Sequence, residues 1–505
     1  MEEANRRSRR TSRPSDFRCY TPGKSRRHGI IRVVPLRSRT KTYLLVVLLL
    51  VLAVAGSVSY LGWRQAVPPP TVTSTPPRFL GHKTTVPMTV HAARGNVATV
   101  EIRIVQGGKH TVVVKQDGKL GATAEIPATL EVASLGLREG PATVEVRTRD
   151  DFWRPLTLPE RVIASWPVTI DLTPPKIDVF ASTGYYSPGG VSLVAFRVEG
   201  ATKSEIKLGD RVFPSFPIGD TGRGARVALV ALPYNYDGAA LAISAVDEAG
   251  NTASRGVGGE LKPRKFAHDR IEIKDSFLQA KMPELLPTHP PGAPLVDAFL
   301  IVNRDHRKQA EAQKRDLGAK TADKPMWEGA FVQPRNTKVF ANFAETRTYV
   351  YQGREIDTQV HYGYDLASTK QSPVPAANKG VVVYAAPLWI YGNAVVVDHG
   401  LGLQTLYGHL SSIAVKVGDS VDREQELGRT GTTGLAIGDH LHYEVLVSGV
   451  SVTPLERWDA KWIRDRINKP LREAGLPEIA GLERGGAADA DDKPAKPAPR
   501  RKRGR

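Results

Sequence analysis

Three short segments decide the fold of the C-terminal part of this chain: His361-Tyr362-Gly363-Tyr364-Asp365, Tyr407-Gly408-His409 and His440-Leu441-His442. They lie in sequence rich in glycine and β-branched residues, which is typical of short strands joined by turns. Five of the twelve histidines fall between residues 361 and 442, whereas the single cysteine, Cys19, is far away. This pattern indicates a catalytic metal site rather than a cysteine-based structural one.

Strand geometry predicts how these side chains are arranged. Successive side chains of a strand point to opposite faces, so His440, His442 and Glu444 share one face. One of the two imidazoles can bind a metal while the other reaches over the open side of that metal. The pattern alone does not say whether His440 or His442 is the ligand. His361 and Asp365 flank Gly363, whose missing side chain is expected to let the backbone bend so that both groups converge on one ion. Two imidazoles and a carboxylate suit zinc and leave a position for water, which predicts amide hydrolysis.

The three segments resemble the signatures of the lysostaphin/LytM-type peptidoglycan zinc metallopeptidases. The resemblance covers roughly residues 328–455 and includes the flanking segments 392–400, 417–421 and 428–434, although the proline often found before the paired histidines is missing. It implies a β-sheet groove fold, the duplicated hybrid motif, with one zinc ion on His361, Asp365 and His442. By the same resemblance, His409 and His440 are the catalytic, non-ligand histidines that orient or deprotonate water and stabilise the oxyanion.

Other polar residues in this region have open or structural interpretations. His399 lies in an Asp-His-Gly turn where the family has no ligand, so we expect a structural role for it. Glu444 shares the metal-facing side and either forms an outer hydrogen bond or lines the groove.

The region of Asn336, Asn342 and Arg347 leads into the first ligand, and a polar side chain from it could occupy the open zinc position. Autoinhibition is therefore a further hypothesis.

The positive charge of the chain is concentrated at its ends. The formal net charge is +18, but residues 1–41 alone carry thirteen Lys and Arg against three Asp and Glu. Residues 482–505 carry eight against four, which leaves the 440 residues between them almost balanced. A strongly basic folded surface is therefore absent from the sequence pattern, and we expect no nucleic-acid partner.

An uncharged run at 42–63 is long enough to cross the ~30 Å hydrocarbon layer as one helix. The basic residues precede it, so the N-terminus and Cys19 are expected in the cytoplasm and everything after Arg64 on the periplasmic or cell-wall side of the cytoplasmic (inner) membrane. A cleaved signal peptide ending near Ala53-Val54-Ala55 is the alternative. In either case the exported part has no cysteine and needs no disulfide.

Composition divides the chain into segments, and the predicted fold is mainly β. We expect an N-terminal transmembrane helix, two β-sandwich modules of which the second is immunoglobulin-like, a helical connector, and a C-terminal peptidase domain with the β-sheet groove. The predicted bounds are a basic cytoplasmic tail at 1–41, the helix at 42–63, a Pro-rich linker at 64–81, β modules at 82–173 and 174–262, the connector at 263–325, the zinc domain at 326–470, and a disordered basic tail at 471–505. Within the zinc domain, short strands are predicted at 380–385, 394–397, 403–406, 414–417 and 440–447.

These features predict a membrane-anchored zinc metalloendopeptidase that hydrolyses peptide cross-links of peptidoglycan in the cell envelope. The expected partners are peptidoglycan and the cytoplasmic membrane, with envelope proteins as possible partners of the β modules. The alternative is a non-hydrolytic envelope factor that binds or activates another cell-wall hydrolase. Loss of a metal ligand would mark that alternative, and the sequence retains all of them.

Overall fold

The computed structural model describes residues 38–132, 134–156, 161–219 and 224–481. The predictions for most of the basic N-terminal tail, including Cys19, and for residues 482–505 lie outside these ranges. The predicted mainly β fold with an apolar N-terminal helix is confirmed. Helix α1 (Ser38–Ala66) contains a segment, Thr40–Ala66, that is long and apolar enough to span a membrane or to serve as a signal sequence.

The first β module has a hydrophobic core of its own. Its sheets have the strand orders β1-β3-β6 and β2-β8-β7-β4-β5. In β6 the side chains alternate strictly between exposed and buried, as expected for a strand with one face on a core. Strands β1 and β2 lie in the segment that was predicted to be a linker. They pair with β3 and β8, and Leu80 of β2 is fully buried in the core of this module. The bounds are β1 (Thr71–Val72), β2 (Phe79–Leu80), β3 (Lys83–His91), β4 (Val97–Gln106), β5 (Lys109–Asp117), β6 (Thr123–Glu131), β7 (Gly140–Asp150) and β8 (Arg161–Ile170).

The second β module pairs two antiparallel sheets with the strand orders β14-β15-β11-β9 and β13-β12-β16-β17. Strand β15 is buried on both faces along most of its length, because it packs against the C-terminal strands as well as against its own module. The bounds are β9 (Lys176–Ser182), β10 (Tyr185–Tyr186), β11 (Val191–Glu199), β12 (Lys203–Leu208), β13 (Arg211–Phe213), β14 (Phe216–Pro217), β15 (Ala225–Ala231), β16 (Leu241–Val246), β17 (Thr252–Gly256) and β18 (Glu260–Leu261).

The connector contains a strand and three helices: β19 (His268–Glu272), α2 (Asp275–Leu285), α3 (Leu295–Ile301) and α4 (Arg307–Gly318). Helices α3 and α4 are continuous through a π-helical turn, Val302–His306. The apolar face of these helices packs against the C-terminal β-sheet, since Phe299 and Val302 share a core cluster with Val396 and Leu446.

The C-terminal region is built on a long antiparallel sheet with the strand order β20-β23-β31-β27-β26-β25-β29, and β32 pairs with β31. Two smaller sheets flank it, β19-β21-β22 and β24-β30-β28. The bounds are β20 (Lys338–Ala341), β21 (Glu345–Tyr351), β22 (Arg354–His361), β23 (Tyr364–Ala367), β24 (Pro373–Pro375), β25 (Gly380–Pro387), β26 (Asn393–Asp398), β27 (Leu403–Leu410), β28 (Ser412–Ile413), β29 (Ser420–Val421), β30 (Glu426–Arg429), β31 (Leu441–Val447) and β32 (Val450–Val452).

Two local predictions for this region are wrong. The strand expected at 414–417 is replaced by a turn, in which Lys416 N donates to the carboxylate of Asp419 and Gly418 has a φ of +94°. Residues 471–481, expected in the disordered tail, are folded, because Leu471 and Ala480 are fully buried. The helices that close the domain are α5 (Leu455–Trp458), α6 (Ala460–Ile463) and α7 (Lys469–Glu473).

Candidate metal centre

Neighbouring strands bring the first and last motifs together. His361 is the last residue of β22, Asp365 lies in β23, and His442 lies in β31. Strands β23 and β31 are antiparallel, and their register places Asp365 directly opposite His442. Because directly opposed side chains lie on the same face of the sheet, the carboxylate and the imidazole meet there.

The alternation expected along β31 is present. Leu441, Tyr443 and Val445 pack into the core shared with the second β module, whereas Leu446 belongs to the core under the connector helices. His442 lies on the same side as Leu446. The polar residues His442 and Glu444 of β31 therefore lie on the face that the connector helices cover.

Three ligand atoms converge at this point. His361 Nε2 lies 2.9 Å from Asp365 Oδ1 and 3.1 Å from His442 Nδ1, and His442 Nδ1 lies 2.9 Å from the same carboxylate oxygen. All three side chains are buried. Among the described residues, this is the group of three or more His, Cys, Asp and Glu side chains that could hold a metal ion.

Hydrogen bonds to the other ring nitrogens orient the two imidazoles. His361 Nδ1 lies 2.9 Å from the carbonyl oxygen of Asn342 and donates to it, so Nε2 keeps its lone pair for a ligand. His442 Nε2 donates to Glu444 Oε1 at 2.9 Å, so Nδ1 faces the cluster. Such partners are typical of metal-binding histidines, because they fix both the tautomer and the ring orientation.

Gly363 is required by its surroundings. A Cβ atom at this position would lie 2.7 Å from His442 Nε2 and 2.5 Å from the carbonyl oxygen of Tyr443. Its φ lies outside the left-handed region, so the glycine allows close approach of His442 and is not needed for the expected backbone bend. Any side chain here would push the His442 ring away from the other two groups.

The two remaining motif histidines lie beside the cluster. His409 and His440 have ring centres 4.8 Å apart, and the His409 ring centre is 5.7 Å from that of His442. His409 Nδ1 donates to the carbonyl oxygen of Thr433 at 2.8 Å, and His440 Nδ1 donates to that of Gly438 at 2.7 Å. Both rings therefore hold Nδ1 in a backbone bond, and the Nε2 of His440 lies 3.5 Å from Asp365 Oδ1.

His409 adopts a strained backbone conformation with a φ of +62°. A residue with a Cβ rarely occupies this region, and such strain is concentrated at functional sites. Burial, reinforced by the charges of His440 and His442, holds the pKa of His409 well below its usual range. The imidazole is thus neutral near pH 7 and able to accept a proton at Nε2.

The protonation states of the cluster suit a cation. Burial lowers the pKa of His361 to about 4, so this ring is neutral at pH 7. Burial alone would raise the pKa of Asp365, but His361 and the hydrogen bonds of the other two histidines hold it well below its usual range. Burial also lowers the pKa of His442, but bonds to Asp365 and Glu444 outweigh burial and raise it, so metal binding at this ring competes with its protonation.

Two further side chains brace the cluster. Arg347 Nη2 donates to Asp365 Oδ2 at 2.8 Å, which leaves Oδ1 to face the histidines. Glu444 is fully buried, so it forms the outer hydrogen bond to His442 and does not line an open groove.

Asn342 contacts the site through its backbone carbonyl, while its side chain is exposed. Arg347 could be suspected from sequence, whereas the contact of Asn342 depends on backbone geometry alone.

His399 lies apart from the cluster and is structural. Its Nδ1 donates to the carbonyl oxygen of Lys379 at 2.6 Å, and its Nε2 accepts from Thr405 Oγ1 at 2.9 Å. Both ring nitrogens are satisfied inside the core, where burial lowers the pKa to about 4. The sequence interpretation of this residue agrees with the geometry.

The donor set fits a metal ion of the zinc type. Two neutral imidazole nitrogens and one carboxylate oxygen, separated by 2.9–3.1 Å, are compatible with ligands that each lie about 2 Å from one shared ion. Three protein ligands leave room for a reactant, which is typical of catalytic zinc sites and not of structural ones.

Comparisons with known proteins agree with this geometry. Residues 359–454 match Peptidase family M23. Peptidoglycan DD-endopeptidase ShyA of Vibrio cholerae is 43% identical over 96 residues, 19% of this chain and 22% of that protein. DD-carboxypeptidase/endopeptidase Mpg of Neisseria meningitidis is 38% identical over 97 residues, 19% of this chain and 22% of that protein. The chain thus spans about a fifth of the length of these curated relatives.

Among solved structures, the catalytic domain of the antimicrobial peptidase lysostaphin from Staphylococcus simulans is 29% identical. The match covers 24% of this chain and 90% of that domain, with a TM-score of 0.21. The family match spans the strands that carry His361, Asp365, His409 and His442. The C-terminal domain of this chain therefore belongs to Peptidase family M23.

Proposed function

We propose that this protein is a membrane-anchored zinc metalloendopeptidase that hydrolyses peptide cross-links of peptidoglycan. The observation that carries the proposal is the convergence of His361 Nε2, Asp365 Oδ1 and His442 Nδ1 within hydrogen-bond distance, beside two histidines whose Nδ1 atoms are bonded to backbone carbonyls. A zinc ion held by these three atoms would supply Lewis acidity, which polarises the scissile carbonyl and acidifies a water molecule.

The other two histidines have complementary roles in this proposal. His409 is neutral and its Nδ1–H is committed to Thr433, so its Nε2 accepts the proton of the attacking water. His440 directs its Nε2 to within 3.5 Å of Asp365 Oδ1, where an N–H of this ring would donate to the oxyanion that develops on the substrate carbonyl. The proton taken up by His409 then passes to the leaving amine.

The substrate class is supported by the relatives. ShyA is named a peptidoglycan DD-endopeptidase, and Mpg is named a DD-carboxypeptidase/endopeptidase. The identities extend over only 96 and 97 residues, and residues 359–454, which carry the metal cluster, match Peptidase family M23. The shared domain favours a peptide bond of peptidoglycan as the substrate of this chain.

The location is inferred from helix α1. Residues 42–63 of this helix carry no charge, and the thirteen basic residues of 1–41 precede that segment, which favours an anchor with a cytoplasmic N-terminus. The metal domain would then lie on the periplasmic or cell-wall side of the cytoplasmic membrane. Such an anchor confines hydrolysis to wall material near the membrane.

Digestion of isolated wall sacculi tests this proposal. The full chain, purified in detergent and loaded with zinc, is expected to release soluble peptide fragments that mass spectrometry identifies. His361→Ala removes a ligand and should abolish both zinc binding and release. His409→Ala keeps the ligands, so it should retain zinc but lose release by at least about 100-fold. His110→Ala, an exposed residue of the first β module, is the matched control.

The outcomes separate the alternatives. Release by His409→Ala at the rate of the His110→Ala control would overturn the assigned mechanism. A wild-type chain that binds zinc but releases nothing, while stimulating a separate wall hydrolase, would favour the non-hydrolytic alternative.

A further inference from the structure

Helix α4 of the connector buries a lysine. Lys314 is fully inaccessible to solvent, and its Nζ lies 2.9 Å from Glu444 Oε2, 2.7 Å from Glu311 Oε1, 3.0 Å from Ser451 Oγ and 3.0 Å from the Tyr391 hydroxyl. An ammonium group has three N–H donors, so these four acceptors satisfy it completely. Burying a charge costs desolvation free energy even when the charge is paired, and an apolar side chain would avoid this cost. A buried lysine at this position therefore calls for an explanation.

Glu444 links this lysine to the metal cluster. Its Oε1 accepts the Nε2–H of His442 at 2.9 Å, while its Oε2 accepts from Lys314 and, at 2.7 Å, from Ser451. Both carboxylate oxygens are therefore occupied, one on each side. A continuous series of hydrogen bonds runs from helix α4 through Glu444 to the imidazole whose Nδ1 faces the cluster.

The backbone, and not only the ion pair, holds the helix in this position. A Cβ on Gly318, the last residue of α4, would lie 2.3 Å from the amide nitrogen of Gly449, and a Cβ on Gly449 would lie 2.5 Å from the carbonyl oxygen of Lys314. Gln404 Nε2 also donates to the carbonyl oxygen of Leu317 at 2.9 Å. Helix α4 is thus packed tightly on the β31–β32 turn, which keeps the Lys314 ammonium over the Glu444 carboxylate.

We propose that Lys314 is a positioning residue of the metal centre, which holds Glu444 so that Glu444 orients His442 for metal binding. This inference rests on the proposed zinc function and adds that the connector helix is part of the site. Without Lys314, Glu444 loses its charged partner and becomes free to turn away from His442. A lysine that only neutralised a buried carboxylate would support the fold but would not affect the metal.

Zinc affinity of the full chain in detergent, measured by competition with a chromogenic chelator, tests the proposal without relying on peptidase activity. Loss of an outer-shell partner typically weakens metal affinity 10- to 100-fold, so Lys314→Met is expected to raise the zinc Kd at least about tenfold. Lys308→Met, on the exposed side of the same helix, is the matched control and should leave the Kd unchanged.

A double-substitution cycle identifies the route. Glu444→Gln should weaken zinc binding, and Lys314→Met combined with Glu444→Gln should be no weaker than Glu444→Gln alone, because both act through one hydrogen bond. The absorption spectrum of the cobalt(II)-loaded chain should change in the same way in the Lys314→Met and Glu444→Gln variants, since both alter the orientation of His442. The double variant removes both members of the fully buried Lys314–Glu444 pair, so it remains informative if Lys314→Met alone fails to fold.

Each result of these measurements supports or overturns either the positioning role of Lys314 or the proposed zinc function. A zinc Kd for Lys314→Met equal to or below that of Lys308→Met, or full additivity in the cycle, would overturn the positioning role. A wild-type chain that binds no zinc would instead overturn the proposed function. A wild-type chain that binds zinc without releasing peptides leaves the cycle interpretable, because its readout is the metal.

Discussion

The two β modules both consist of short strands but differ in how they relate to the catalytic domain. The core of the first consists of residues between 80 and 170 only. The core of the second is continuous with that of the C-terminal domain, so Phe196 and Leu229 belong to the same cluster as Tyr443 and Val445. The comparison teaches that one module has a hydrophobic core of its own, whereas the core of the other is part of the body that supports the metal centre.

The polar contacts show the same difference. The first module reaches the second through Asn251, whose side chain accepts from His82 N and donates to the carbonyl oxygen of Asp171. The second module reaches the C-terminal domain through several bonds, including Val191 N to Glu456 Oε2 at 2.9 Å and Thr453 N to the carbonyl oxygen of Gly189 at 2.7 Å. We infer that the first module is a spacer and that the second stabilises the peptidase.

Deleting each module in turn should produce the largest contrast. Removal of residues 70–171 leaves the shared core intact, so zinc binding and peptide release should remain within about twofold of the full chain. Removal of residues 174–262 exposes the inner face of β31 to water and should abolish both, because the lost apolar burial exceeds the marginal stability of a domain. Calorimetry and the sacculus assay check this, and a fully active chain without 174–262 would contradict the inference.

A matched pair of core substitutions sharpens the contrast without removing any segment. Leu193 in the second module and Leu130 in the first are both buried, and Leu→Ala at such sites costs about 2–5 kcal/mol. Leu193→Ala should lower the thermal transition that releases the metal. Leu130→Ala should lower a separate transition and leave metal release unchanged. A single transition lowered equally by both variants would show that the cores are coupled after all.

The motif chemistry could be predicted from sequence, since it depends on short-range geometry. Alternation along β31 places His442 and Glu444 on one face whatever the rest of the chain does. The partner of Glu444 could not be predicted, because Lys314 is 130 residues away and the contact depends on how the connector packs. One signal was available: Lys314 occupies a core position of α4, since Ala310 and Leu317 on the same face are buried.

The shared core could not be predicted for a similar reason. An apolar strand such as β15 looks the same in sequence whether its second face meets its own module or another domain. The folded segment 471–481 was missed because its order depends on bonds between the Asn468 side chain and the backbone of Ala480, which the sequence does not show.

Glu456 provides a pH-dependent test at the junction of the second module and the peptidase. Burial raises the pKa of this carboxyl from 4.5 to about 7 in the folded state. The folded protein thus binds the proton more tightly than the unfolded chain, so this group makes stability fall as pH rises from about 4.5 to about 7. The total loss is about 3 kcal/mol, at ~1.4 kcal/mol per pKa unit.

The matched variant for this test is Glu456→Gln, which cannot ionise and still offers an oxygen to Val191 N. Urea unfolding at pH 5 and pH 8 should show the loss in the wild-type chain and little of it in the variant. The effect should appear in the transition of the shared core and not in that of the first module. An equal pH dependence in both proteins would assign it to another group.

The smallest expected effect concerns a single hydrogen bond at the same junction. Trp462 Nε1 donates to the Tyr185 hydroxyl at 2.7 Å, which joins the C-terminal helices to the second module. Tyr185→Phe leaves the indole N–H without this acceptor and should cost about 1 kcal/mol. In the first module, Thr148 Oγ1 donates to the carbonyl oxygen of Thr99 at 2.7 Å, so Thr148→Val is a comparable loss. Because the cores are separate, Tyr185→Phe should lower the temperature of the unfolding transition that releases the metal, and Thr148→Val should not. Calorimetry checks this. The reverse result would place the boundary between the two cores elsewhere.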